Sequence, residues 1–202
     1  MIRIYPFIFI LLWSSAFITT KPIVDYSDPF AALAFRFFFV AVGFYLFSIY
    51  SHNSLIIKKK NLIESFLSGV LFHGFYLGGV FFSISIGMPA GIAALIVTLQ
   101  PILTNLLSGP ILNEKVSIKQ WIGAFLGFTG AVLVLGLDLG SKIPLLGLIA
   151  TLIALIAITT STIWQKKLSN NLPLSVSNFY QAIGGCFFHV LIVIFFTEAL
   201  IN

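Results

Sequence analysis

Hydrophobic positions in this chain come as long unbroken runs rather than as a stripe or an alternation. Seven such runs can be drawn: Ile4–Thr20, Phe30–Tyr50, Leu62–Ile86, Ala90–Leu112, Ile118–Leu137, Leu145–Trp164 and Val176–Phe196. Each is long enough to cross ~30 Å of hydrocarbon as a helix. Lipid offers no partner to exposed backbone groups, so a spanning segment has to satisfy its own, as a helix does. The breaks carry turn or charge signals: Tyr26-Ser27-Asp28-Pro29, Ser51 to Asn61, Met88-Pro89, Asn113-Glu114, Gly140 to Pro144, and Ser169 to Pro173. No linker or soluble domain interrupts them. The pattern predicts an all-α polytopic membrane protein, a bundle of about seven transmembrane helices.

Composition agrees with the pattern. Of 202 residues, 59% are hydrophobic and only 8% are charged, where a soluble domain would carry about a quarter charged. The apolar excess has to face lipid, so the bilayer is the first expected partner and nucleic acid is not one, despite the net charge of +5. In a membrane protein that excess reports loop asymmetry. With the amino terminus inside, the cytoplasmic segments hold Arg3, Lys58, Lys59, Lys60, Lys115, Lys119, Lys166 and Lys167, and the outer ones hold Lys21 and Lys142. Arg36 lies within a run and is left uncounted. The asymmetry predicts a multi-pass inner (plasma) membrane protein with a cytoplasmic amino terminus and Asn202 outside. Arg3 followed by an apolar run also fits a cleavable signal peptide, although the runs that follow make the first a natural span. A single cysteine, Cys186, leaves no internal disulfide and no cysteine-based metal cluster.

The stretch Met88 to Gly136 organises the reading. Its two runs, joined by Asn113-Glu114-Lys115, form a helical hairpin with Gln100-Pro101 at mid-span in the first arm. Gly123, Gly127 and Ala131 stand at four-residue spacing in the second. Mid-span Pro, then Asn-Glu-Lys-Val-Ser, then Lys-Gln-Trp-Ile-Gly, resembles the end of an EamA repeat of the drug/metabolite transporter superfamily. Trp13-Ser14-Ser15-Ala16-Phe17 looks like the start of the same repeat. The resemblance covers residues 4–137 well and 145–198 partially. It implies one complete five-helix EamA repeat (1–137) plus the first two helices of a second repeat (145–202), and a chain shortened against a family with two five-span repeats. Leu148–Leu191 itself resembles Phe7–Leu46, with five spans before the second copy begins, so the copies would run in opposite directions across the membrane.

Polar groups inside the runs are the candidate chemistry. Thr98, Pro101, Asn105 and Ser108 fall on one face of the fourth run, beside Gln100 and Thr104. Pro101 removes one helical hydrogen bond and frees the carbonyl of Val97, which next to Gln and Thr could coordinate a polar solute; the alternative is a kink with hydroxyls bonded to neighbouring helices. Arg36, about two turns into the second run, is either an anion contact or a residue reaching outward to pair with Asp25 and Asp28. His73 with Tyr76, and His189, either face a wet cavity or bond across a helix interface. By resemblance, Trp13, Ser14 and Ser15 line the central cavity. The small-residue patterns Gly74/Gly78, Gly79/Ser83/Gly87 and Gly123/Gly127/Ala131 read as close helix packing.

Three histidines without carboxylate or cysteine partners at ligand spacing make no metal site. No phosphate-binding loop, Gly-x-Ser-x-Gly or His-Glu-x-x-His occurs, so neither enzymatic catalysis nor a cofactor is expected. The resemblance implies a secondary transporter that exports small organic solutes (metabolite, amino acid or drug) by alternating access. The competing reading is an inactive or structural remnant, or a half-type subunit that works in a homo-oligomer or with a second chain.

Overall fold

The computed structural model describes residues 4–113, 115–135, 143–168 and 172–201. Each of the apolar runs is a helix there: α1 Tyr5–Tyr26, α2 Pro29–Tyr50, α3 Lys59–Ser85, α4 Ala90–Leu112, α5 Ile118–Leu135, α6 Leu145–Leu168 and α7 Leu174–Ile201. No strand occurs among the described residues. α2, α3, α4, α6 and α7 are long and apolar enough to cross a membrane, by length and composition. α1 has 22 residues, and α5 has a shorter apolar stretch, Ile118–Leu133. The expected position of Glu114 lies outside the described residues, as do Arg3 and Lys142.

The chain ends its helices where local chemistry dictates. Asp28 accepts a 2.7 Å hydrogen bond from the N–H of Ala31 and Pro29 opens α2, a side-chain cap followed by a residue with no N–H to leave unmet. Asn113 closes α4 in the left-handed region at φ 55°, where asparagine is among the few non-glycine residues tolerated. α1 differs from the expected Ile4–Thr20: it continues through Pro22 to Tyr26. The i,i+4 pair of Lys21 and Asp25 lies along that extra turn.

Two helices depart from regular α geometry. Within α3, Val70–Leu77 is π-helical, a wide turn of a kind often found at functional sites. α4 is interrupted between Ala90–Val97 and Gln100–Leu112: Thr98 and Leu99 stay in the right-handed helical region, but the hydrogen-bond ladder tightens there, and we call this the break in α4.

α3 and α6 sit at the centre, each half buried, while α2 and α4 show most of their surface outward. The buried positions of α2 (Leu33, Phe37, Ala41 and Ser48) line one face, and α2 packs extensively against α7. α7 also lies against α3 with backbones in near contact. A methyl group added at Gly69 would land on the backbone of Gln181, and one added at Gly184 on the carbonyl of Phe66.

The connections gather at two ends. Asn53 Nδ2 donates to Ser175 Oγ at 3.1 Å and Tyr180 OH to the carbonyl of Leu55 at 2.7 Å, so the α2–α3 loop lies beside the start of α7. At the other end Met88, in the α3–α4 turn, packs against Gly147 at the start of α6, and Phe30 stacks on Phe82 with ring centres 6.1 Å apart.

Candidate functional site

The break in α4 is where backbone chemistry becomes local. Pro101 has no N–H to offer the carbonyl of Val97. Proline also disfavours the helical region for the residue before it. The helix adjusts one turn upstream. Leu99 N–H turns to the carbonyl of Ile96 at 3.1 Å, and the hydroxyl of Thr98 takes the carbonyl of Leu95 at 2.6 Å. Thr98 therefore serves its own backbone.

Gln100 reaches out of α4, its Nε2 donating to Thr162 Oγ1 of α6 at 2.9 Å. Tyr76, in the wide turn of α3 and only 3% exposed, belongs to a buried cluster with Val80, Val97 and Ile158, and Trp13 packs against that cluster from α1. Phe72 meets the Tyr76 ring edge-on at 5.5 Å. The structure thus brings Trp13, Tyr76 and the upper arm of α4 to one place, with Gln100 bonded to α6 just past the break.

The other expected residues are placed elsewhere. Ser15 is exposed and bonds back to the carbonyl of Leu12 at 2.8 Å, and the Ser14 side chain lies outside the described residues. Pro101 is exposed. Asn105 leans toward α5, with Nδ2 at 3.4 Å from the carbonyl of Gln120, and Ser108 is buried on the carbonyl of Thr104 at 2.7 Å. The polar residues of the fourth run therefore spread over several directions, because the break offsets the two arms.

Arg36 lies on an exposed flank of α2, its guanidinium 5.8 Å from the centre of the Phe37 ring. The expected pairing with Asp25 or Asp28 is corrected: both carboxylates are engaged, Asp25 by Lys21 and Asp28 by the α2 amino end. His73 packs on Phe37, with ring centres 4.4 Å apart. His189, fully buried, places Nε2 at 2.9 Å from the carbonyl oxygen of His73. For His189 this geometry is the bond across a helix interface; His73 offers its backbone carbonyl to it, and its ring Nδ1 is buried without a hydrogen-bond partner among the described residues.

One polar group escaped the sequence reading. Gln165 Nε2 of α6 donates to Gln181 Oε1 of α7 at 2.9 Å, and Gln181 Nε2 donates to Ser177 Oγ at 2.9 Å. Ser161 donates to the carbonyl of Ser68 at 3.0 Å, and Ser65 lies 3.5 Å from Ser177. This buried lattice ties α3, α6 and α7 together. Its signal was present as small polar pairs, Ser65/Ser68, Ser161/Gln165 and Ser177/Gln181, each spaced to share one helix face.

A multi-helix apolar bundle with polar groups inside fits many membrane proteins; similarity to known proteins narrows it. Residues 3–136 match the EamA-like transporter family. The chain belongs to the EamA-like transporter family. It is 24% identical over 187 residues to the uncharacterized transporter YvbV of Bacillus subtilis (strain 168), covering 87% of this chain and 60% of that protein. It is 25% identical over 166 residues to a probable amino-acid metabolite efflux pump of Salmonella typhimurium (81% of this chain, 53% of that protein). The corresponding pump of Escherichia coli (strain K12) matches at 26% over 163 residues, 80% and 52% of the two chains. This EamA-like chain therefore spans between about half and three-fifths of the length of these relatives. It is a multi-pass membrane protein of a transporter family.

Proposed function

We propose that this EamA-like protein is a secondary transporter that exports a small organic solute by alternating access, with the solute met where α1, α3, α4 and α6 converge. The observation that carries this reading is the break in α4. There Gln100, Tyr76 and Trp13 lie beside backbone that proline has freed from its regular ladder, and irregular backbone at membrane depth is tolerated only inside protein or along a cavity. Metabolites of amino acids are the first solute class to test, because two relatives carry that description. Thr98 and Pro101 shape the break in this scheme. Ser15, Arg36, His73 and Asn105 are outlying members of the candidate set, and Ser14 stays in it by resemblance alone.

Seven crossings are proposed, with the amino terminus cytoplasmic and the protein in the inner membrane. The clustering of loop ends supports that arrangement. The α2–α3 loop and the start of α7 are joined by hydrogen bonds, as four intervening crossings require. Residues 1–137 form the first repeat and 145–202 the opening of an inverted second in this proposal. The second reading, a subunit that needs a partner chain, is favoured by α5. Methyl groups added at Gly123, Gly127 or Gly130 would meet nothing within 4 Å, which leaves that helix face free for further helices of the same or another chain.

Efflux from cells preloaded with a labelled amino acid tests the reading. Release should exceed that of cells lacking the protein, and Gln100→Leu should lower it about tenfold, the worth of one well-placed hydrogen bond in a dry site. Asn105→Ala, with equal membrane abundance, should stay within roughly twofold, since the bond it deletes is long and points away from the break. Release no greater than background rejects the carrier reading, and release that appears only with a co-expressed partner selects the second one. An Asn105→Ala defect as deep as that of Gln100→Leu moves the site.

A further inference from the structure

Three features of the α3–α7 contact remain unused by the transport reading, and they meet at one bond. The first is the wide turn Val70–Leu77. Inserting a residue into a helical turn rotates the side chains on either side by about 100° relative to an unbroken α-helix, so this turn decides which way His73 and Tyr76 face. At its end Gly78 N–H donates to the carbonyls of Gly74 and Phe75, and the ladder returns to its ordinary step.

The second feature is His189. A carbonyl oxygen only accepts, so the 2.9 Å contact with His73 O requires Nε2 of His189 to carry the hydrogen. Nδ1 is then an acceptor, and it is buried without a partner among the described residues. Phe30, Phe37 and Phe188 surround the ring, with centres 6.0, 6.0 and 5.4 Å away. A phenylalanine would fill that space with no unmet acceptor. What the imidazole adds is one N–H, aimed at the carbonyl where the helix changes its step.

The third feature is close packing of α3 and α7 around this bond. A methyl group at Gly78 would lie 3.0 Å from Cε1 of His189, and one at Gly185 would strike Cβ of His73.

We propose that His189 is a positioning residue: its Nε2–H holds the carbonyl of His73, pins the π-helical register of Val70–Leu77, and so fixes the direction in which Tyr76 is presented to the convergence of α1, α3, α4 and α6. Its functional consequence rests on the transport reading above. Without the bond the turn loses its fixed register, its ladder loosens, and Tyr76 is no longer held toward the α4 break.

The test uses the full chain, purified in detergent without substrate, and follows amide hydrogen exchange. In His189→Leu the amides of Val70 to Gly79 should exchange about tenfold faster or more, with those of α6 unchanged, as expected for local loosening of one segment. His189→Gln, whose amide nitrogen can occupy the place of Nε2, should restore protection. If His189→Leu fails to fold, Gly78→Ala answers the same question, because its methyl group, 3.0 Å from Cε1 of the ring, displaces the ring and lengthens its bond to the carbonyl, which should loosen the same amides. Unchanged exchange in the variant that folds, or no rescue by His189→Gln, overturns the assignment. In efflux, His189→Leu should raise KM more than it lowers kcat and His189→Gln should reverse the change; loosened amides with an unmoved KM overturn the positioning role. Exchange is read with no solute present, so it separates failure of this proposal from a protein that carries nothing.

Discussion

Replacing Gly69 by alanine is expected to destabilise the protein by about 3 kcal/mol, at the top of the usual range for overpacking. The added methyl group would fall on the carbonyl oxygen, Cα and carbonyl carbon of Gln181, and backbone inside a helix cannot swing aside as a side chain can. Gly184→Ala should behave alike, since its methyl group meets the carbonyl of Phe66 and the backbone nitrogen of Val70. Gly127→Ala is the control: open space surrounds that position, and alanine is the better helix former, so its stability should be unchanged or slightly higher. Thermal unfolding in detergent reads the difference, with a fall of roughly 10 °C for Gly69→Ala by the scaling for chains of this size. Equal midpoints for Gly69→Ala and Gly127→Ala would mean that α3 and α7 do not approach backbone to backbone.

The second large effect concerns the buried lattice of α3, α6 and α7. Gln181→Leu removes the acceptor of Gln165 and the donor to Ser177 at once, leaving Gln165 its longer 3.4 Å contact with Ser161 and Ser177 its 3.5 Å contact with Ser65. The expected cost is about 2 kcal/mol, above the average for hydrogen bonds between membrane helices because two groups lose their shorter bonds. Gln165→Leu alone should cost about 1 kcal/mol. The double variant should cost clearly less than the sum, because the second substitution removes a group that the first had stranded. Strict additivity in that cycle would show that the two glutamines do not serve one another.

Much of the bundle was legible because its helices are written as runs bounded by residues that cannot continue them. Asp28-Pro29, Pro89, Asn113, Pro144 and Pro173 each fall at a helix end or just before a start. The geometry inside the helices was less legible. Val-Leu-Phe-His-Gly-Phe-Tyr-Leu carries no mark of a wide turn; the glycines and His189 of α7, more than a hundred residues away, set it. Pro101 announced a disturbance, yet a kink and a break look the same in sequence. The structure shows the disturbance as one tightened turn, with Leu99 N–H on the carbonyl of Ile96 and the Thr98 hydroxyl on that of Leu95.

Small residues told the truth in one helix and misled in another. The spaced glycines of α3 pack closely, Gly74 on Phe188, Gly78 on His189 and Gly79 on the backbone of Ala150, whereas Gly123 and Gly127 of α5 face open space; Gly69 and the adjacent pair Gly184-Gly185 make further tight contacts. A stripe states what a helix allows and not what it meets. The glutamine and serine lattice was hidden for a related reason: each helix contributes only two of its members, and two polar residues on an apolar helix are unremarkable until three helices are superposed.

The account stands on the helices crossing the bilayer with the α2–α3 loop in the cytosol and the α1–α2 turn outside. Cysteines placed at Ser54 and at Ser27, both exposed, in a Cys186→Ala background, measure this with a thiol reagent that does not pass membranes. Labelling of intact cells is expected at Ser27→Cys alone, with Ser54→Cys reacting only after the membrane is opened. Equal labelling of the two in intact cells would contradict the arrangement.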